Sequence, residues 1–127
     1  MTLDWENDPE LRQIRQEFCD SMTERRALLA QVIEALRAGR AGPEVLEELQ
    51  SIAHKLAGTA GSYGFNTVTR ICEALDEHLD RPGAAADPAR LVGYAQLVDE
   101  SLVVAQGGKD PEPLARDPRF RTLTSGA

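Results

Sequence analysis

Four stretches of the chain carry apolar residues at three- and four-residue steps, and proline–glycine punctuation separates them. In the first stretch the stripe is Leu11, Ile14, Phe18, Met22, Leu29, Val32 and Leu36. Asp8-Pro9 precedes it, an N-cap followed by proline at the first helical position. The segment from Ala38 to Pro43 holds two glycines and a proline, so it ends that helix and starts a second. Val45, Leu49, Ile52 and Leu56 stripe the second helix, which is expected to run to about Ala60. Gly61 and Gly64 mark a short reversal, after which Phe65, Val68, Ile71, Cys72, Leu75 and Leu79 form the third stripe. Arg81-Pro82-Gly83 breaks it, and Asp87-Pro88 repeats the cap-plus-proline start. Leu91, Ala95, Val98, Leu102 and Ala105 follow, closed by Gly107-Gly108. Nowhere does the pattern alternate as a half-buried strand requires.

Four amphipathic helices on short connections pack most simply as an all-α, antiparallel up-down four-helix bundle. The bundle is expected over residues 9–106, with an N-terminal extension over 1–8 and a flexible tail over 107–127. The tail offers too little apolar area to offset the cost of ordering it, with Phe120 and Leu123 docking weakly. Trp5 is expected to close one end of the core.

Composition narrows the function classes. At 127 residues the chain suits one domain, and its 42% apolar but 5% aromatic content favours helix packing over a sandwich. A net charge of −7 repels phosphate backbones and anionic lipid, which argues against nucleic-acid or membrane-surface partners. No apolar run is long enough to span a bilayer, and the first residues lack a secretory pattern, so a cytoplasmic location is expected. Cys19 and Cys72 fit no ligand or redox spacing and are expected to fill small spaces in the core. No metal site is expected, because no Glu-x-x-His pair points into the bundle. Without a heptad seam, a monomer is expected.

His54 is the candidate for chemistry. On a wheel of about 100° per residue, Val45, Leu49 and Leu56 fall within roughly 60° of Ile52. His54 lies nearly opposite, sharing its face with Glu47, Gln50, Ala57, Gly58 and Gly61. Ala57, Gly58 and Gly61 leave the ring's surroundings almost bare of side chain. A glycine inside a helix costs about 0.8–1 kcal/mol against alanine, and close approach by another protein or a phosphoryl group would justify Gly58.

The run His54-Lys55-Leu56-Ala57-Gly58-Thr59-Ala60, continued by Gly61 and Gly64-Phe65, resembles the signature of histidine-containing phosphotransfer (HPt) domains. That motif has the phosphorylated histidine, an apolar residue two later, a glycine four later, a small residue six later and a glycine ten later. Here these are His54, Leu56, Gly58, Ala60 and Gly64. Many members carry lysine three residues after the histidine, where this chain has Ala57. Lys55 is the nearby cation, and its stem is long enough to swing an ammonium toward a phosphoryl oxygen, though a merely solvated role fits equally.

The resemblance implies a phosphorelay intermediate without its own ATP site: a phosphocarrier, not an enzyme. His54 would accept a phosphoryl group from a receiver-domain aspartate and hand it to another. The implied partners are receiver domains of response regulators and a hybrid histidine kinase. No cofactor is expected in the chain itself, Mg²⁺ coming from the receiver. The alternative is a helical adaptor that binds a receiver or kinase without carrying phosphate. Gln50 or Ser51, on the side toward which helical side chains lean, is expected to hydrogen-bond the imidazole. His78 is expected to be solvated on the third helix, with Glu73, Asp76, Glu77 and Asp80 forming a charged outer face.

Overall fold

The computed structural model describes residue 4 and residues 7–125. Among these there is no strand; the elements are five α-helices and three 3₁₀ turns. Helix α1 spans Pro9–Arg37, α2 Pro43–Thr59, α3 Asn66–Leu79, α4 Pro88–Gln106 and α5 Pro118–Thr124. The 3₁₀ turns are Ala60–Tyr63, Ala84–Ala86 and Glu112–Arg116. Trp5 lies outside the described residues.

The helix starts follow from local chemistry. Asp8 accepts from the backbone N–H of Glu10 at 2.9 Å, and Pro9 opens α1. Asp87 does the same for α4 through Arg90 N–H, ahead of Pro88. Such caps satisfy N–H groups that have no partner inside the helix. The start of α3 is capped from a distance: the Asp110 carboxylate, beyond α4, accepts from Thr67 N–H at 2.8 Å and from its hydroxyl at 2.6 Å. Gly64 sits at φ 89° between the 3₁₀ turn and α3, a left-handed conformation that β-carbons disfavour.

Met22, Leu29, Leu49, Leu56, Phe65, Ile71, Leu75, Leu91 and Leu102 are completely buried and form one core between α1, α2, α3 and α4. Cross-helix pairs give the register. Cys19 Sγ–H donates to Ala105 carbonyl and Arg26 pairs with Asp99, so rising numbers on α1 meet falling numbers on α4. Gln50 and His54 on α2 meet Asp80 and Asp76 at the C-terminal end of α3, the same relation between α2 and α3. Both thiols are buried, and desolvation raises the pKa of each.

Two expectations need correction. Ile14, assigned to the inward stripe, is 46% exposed, because the inward residues of α1 begin only at Phe18. The segment after α4 is helical where a flexible tail is expected. Phe120 on α5 is buried, Leu123 packs against the core, and the Tyr94 hydroxyl donates to Leu123 carbonyl. Arg119 ties α5 to α4 through an ion pair with Glu100. The cause lies in α4, where Gly93 leaves a place that Leu123 of α5 fills: a β-carbon at Gly93 would sit 3.0 Å from Leu123 Cδ2.

Candidate functional site

Leu49, Ile52, Ala53 and Leu56 anchor one face of α2 in the core, which turns His54 outward. Its side chain is 78% exposed. Nδ1 of the ring lies 2.9 Å from Oδ2 of Asp76 on α3. An ionised carboxylate only accepts, so Nδ1 carries the hydrogen, and in the neutral ring Nε2 keeps its lone pair. The exposed ring therefore has one nitrogen tied down and the other available as a nucleophile.

Asp76 is held in turn. Gln50 Nε2 donates to Asp76 Oδ1 at 3.1 Å and to Asp80 Oδ1 at 2.8 Å. The ring's partner is thus Asp76, in place of the expected Gln50 or Ser51. Gln50 reaches the imidazole only through Asp76, and Ser51 lines a groove between α1 and α2 with Lys55, Glu48, Glu24 and Arg25. Lys55 is exposed on that flank.

The small residues after His54 divide into three roles. A β-carbon at Gly58 would meet nothing within 4 Å, so the surface one turn beyond the ring is open. Ala57 is half-buried and packs against the core, which leaves little of it on the ring's side. Gly61 belongs to the 3₁₀ turn, where its N–H donates to Thr69 Oγ1 at 2.8 Å. A β-carbon there would sit 3.2 Å from that same oxygen, so Gly61 serves close packing of the turn on α3 instead of clearing the ring's approach. Arg15 braces the turn from α1: its Nε donates to Tyr63 carbonyl at 3.0 Å, and its guanidinium lies 4.3 Å above the centre of the Phe65 ring. Phe18 stacks on Tyr63 alongside.

His78 is buried on α3, where a solvated position is expected. It is 7% exposed, its ring packs against Tyr94 at 5.3 Å, and neither ring nitrogen has a hydrogen-bond partner. Burial pushes its pKa below the usual histidine value, and nearby Arg90 and Arg81 push it further down. The charged face of α3 is likewise not uniform, since Asp76 faces α2 with its side chain only 22% exposed. The wheel holds the signal for both. Asp76 and His78 lie about 80° to either side of the centre of the Val68, Ile71, Cys72, Leu75 and Leu79 stripe. Those flanks are the boundary positions toward α2 and α4.

Among the described residues no group of three or more His, Cys, Asp or Glu side chains is placed to hold a metal ion, and no helix is long and apolar enough to cross a membrane. Electrostatically, the ring sits beside Asp76 and Asp80 with Lys55 on the opposite flank, which suits a partner that brings its own cations. A family model described as the Hpt domain matches residues 13–106. No curated protein and no solved structure matches the chain.

Proposed function

The chain belongs to the Hpt domain family, and from that premise we propose that His54 accepts a phosphoryl group from a receiver-domain aspartate and passes it to the aspartate of another receiver. Hpt domains act in phosphotransfer within two-component signalling and interact with receiver domains and kinases. For this chain the donor and acceptor are response-regulator receivers, with a hybrid histidine kinase upstream, and the relay operates in the cytoplasm with the carrier as a monomer. Helices α1–α4 form an antiparallel up-down bundle, a reading supported by the opposed register of α1 with α4 and of α2 with α3.

The observation that carries the reading is the exposed His54 ring with Nδ1 bound to Asp76. The Nε2 lone pair attacks phosphorus of the aspartyl phosphate. The bond from phosphorus to the carboxylate oxygen breaks, and its electron pair leaves with the aspartate. The ring acquires positive charge as the bond forms, and Asp76, already accepting the Nδ1 hydrogen, stabilises it there. Return transfer runs the same displacement backwards onto a second receiver's carboxylate. The receiver supplies Mg²⁺ and most of the charge stabilisation at phosphorus. The bundle supplies orientation, holding the ring on a rigid helix with open surface at Gly58.

Incubation with a labelled phosphorylated receiver tests this. Acid-labile, alkali-stable label is expected on the wild-type chain and absent from His54→Gln. Lack of label with every receiver tried overturns the carrier and leaves the adaptor, which would still bind those receivers.

A further inference from the structure

The geometry points to Gln50 as a positioning residue for this transfer: its amide fixes which oxygen of Asp76 meets His54, and hence which ring nitrogen stays free. The inference rests on His54 being the acceptor. Gln50 precedes His54 by one turn on α2 and faces the same way. Its Nε2 lies 3.1 Å from Asp76 Oδ1 and 2.8 Å from Asp80 Oδ1, so its two N–H groups serve two carboxylates one turn apart, one in the last turn of α3 and one at its C-cap. Chemistry dictates that orientation of the amide. Turned over, Oε1 would confront two acceptors with no hydrogen between them.

Asp76 and Asp80 are like charges four residues apart on one helix, and such pairs repel. Without a donor between them, the two carboxylates separate by rotating toward water. The Gln50 amide opposes that rotation by binding one oxygen of each. With Oδ1 of Asp76 engaged, its other oxygen, Oδ2, is left facing Nδ1 of His54 at 2.9 Å. The carboxylate is thereby held at both oxygens, and its plane is set relative to the ring. Leu49 and Ile52 lock the backbone on either side of Gln50 in the core, so the clamp stands on a rigid base.

Loss of the amide lets Asp76 turn away. The ring then samples the tautomer with hydrogen on Nε2, whose lone pair lies on Nδ1 toward α3, out of a partner's reach. Gln50 thus acts through Asp76 and touches no reacting atom.

Gln50→Leu in the full chain tests the clamp, because leucine keeps helix propensity and comparable length. Circular dichroism and thermal unfolding verify that the variant folds. The deciding readout is the pair of ¹⁵N shifts of the neutral His54 ring, assigned by comparison with His54→Gln. In the wild type the Nδ1–H form is expected to predominate; in Gln50→Leu the shifts move toward a tautomer mixture. The initial rate of phosphoryl loss from a phosphorylated receiver falls by up to about fivefold, the ceiling set by the partly exposed Asp76–His54 bond through which Gln50 acts. Gln50→Glu is expected to disturb the ring at least as much, since it puts a third acceptor where the donor stood. Wild-type ring shifts in Gln50→Leu overturn the clamp, whatever the transfer rate. The ring measurement needs no receiver, so a wild-type chain that takes no phosphoryl group sinks the acceptor reading separately.

Discussion

Asp76→Asn removes one charge from the candidate site and almost no volume. The introduced amide accepts from Nδ1–H through its oxygen, or turns over and donates to a bare Nδ1 through its nitrogen. It therefore supports either tautomer of His54, whereas the carboxylate supports only the one with the lone pair on Nε2. A hydrogen bond to a charged partner contributes about 1.5–3 kcal/mol net. Here the His54 side chain is 78% exposed and that of Asp76 22%, so water competes on the ring's side. A reduction to about 1 kcal/mol is appropriate for a pair of that exposure.

At room temperature about 1 kcal/mol corresponds to about a fivefold change in the ratio of the two tautomers, which is the upper bound on the change in population of the reactive one. Phosphoryl transfer from a phosphorylated receiver, followed by rapid quench at saturating carrier, should slow by up to that factor in Asp76→Asn. Unfolding in urea should show little change, because a partly exposed pair contributes little to the fold. Transfer at the wild-type rate in a folded Asp76→Asn chain refutes the tautomer argument. A loss beyond a hundredfold refutes it in the other direction, since orientation alone does not supply so much at this exposure.

Gly58→Glu should block transfer while leaving the chain folded and slightly more stable, by about 0.5–1 kcal/mol, because the glycine's helix penalty disappears and its β-carbon enters open space. Unaltered transfer in that variant would remove Gly58 from the docking surface. His78→Phe should flatten the acid side of the stability profile. The folded-state pKa of His78 is lowered by burial and by Arg90 and Arg81, so below the ordinary value of 6.5 the unfolded chain binds a proton that the folded chain resists. Stability from this group is complete above about pH 7 and declines as pH falls through 6.5 toward the depressed value. Urea midpoints at about pH 7.5 and about pH 5.5 should therefore separate more for the wild type than for His78→Phe. Equal separations would show that the buried ring does not titrate with unfolding.

The outward direction of His54 was legible because it needs only one helix: the α2 stripe determines it, whatever α2 packs against. The same holds for the ends of α1 and α4, where Asp8-Pro9 and Asp87-Pro88 act locally. What eluded single-helix reasoning depends on pairs of helices. Periodicity locates the centre of a stripe but not which neighbour covers each flank, so Asp76 and His78 both read as surface residues. The cap that Asp110 places on Thr67, and the cover that α5 gives α4, depend on the chain returning to elements formed earlier. Ile14 misled for the opposite reason: its spacing is right, but the inward face of α1 begins a turn later.

The rotation of α3 about its own axis consequently matters to the site as much as the motif on α2 does. Asp76 and His78 are two residues apart, about 200° around the helix, and they look toward α2 and α4 respectively. Ile71, Cys72 and Leu75, all completely buried, fix that rotation. A slip by one residue, about 100°, would withdraw Asp76 from the ring and leave His54 a surface histidine like any other. The carboxylate partner of the His54 ring is therefore held by core packing on the far side of α3, and repacking those positions should disturb the His54 tautomer without touching the motif.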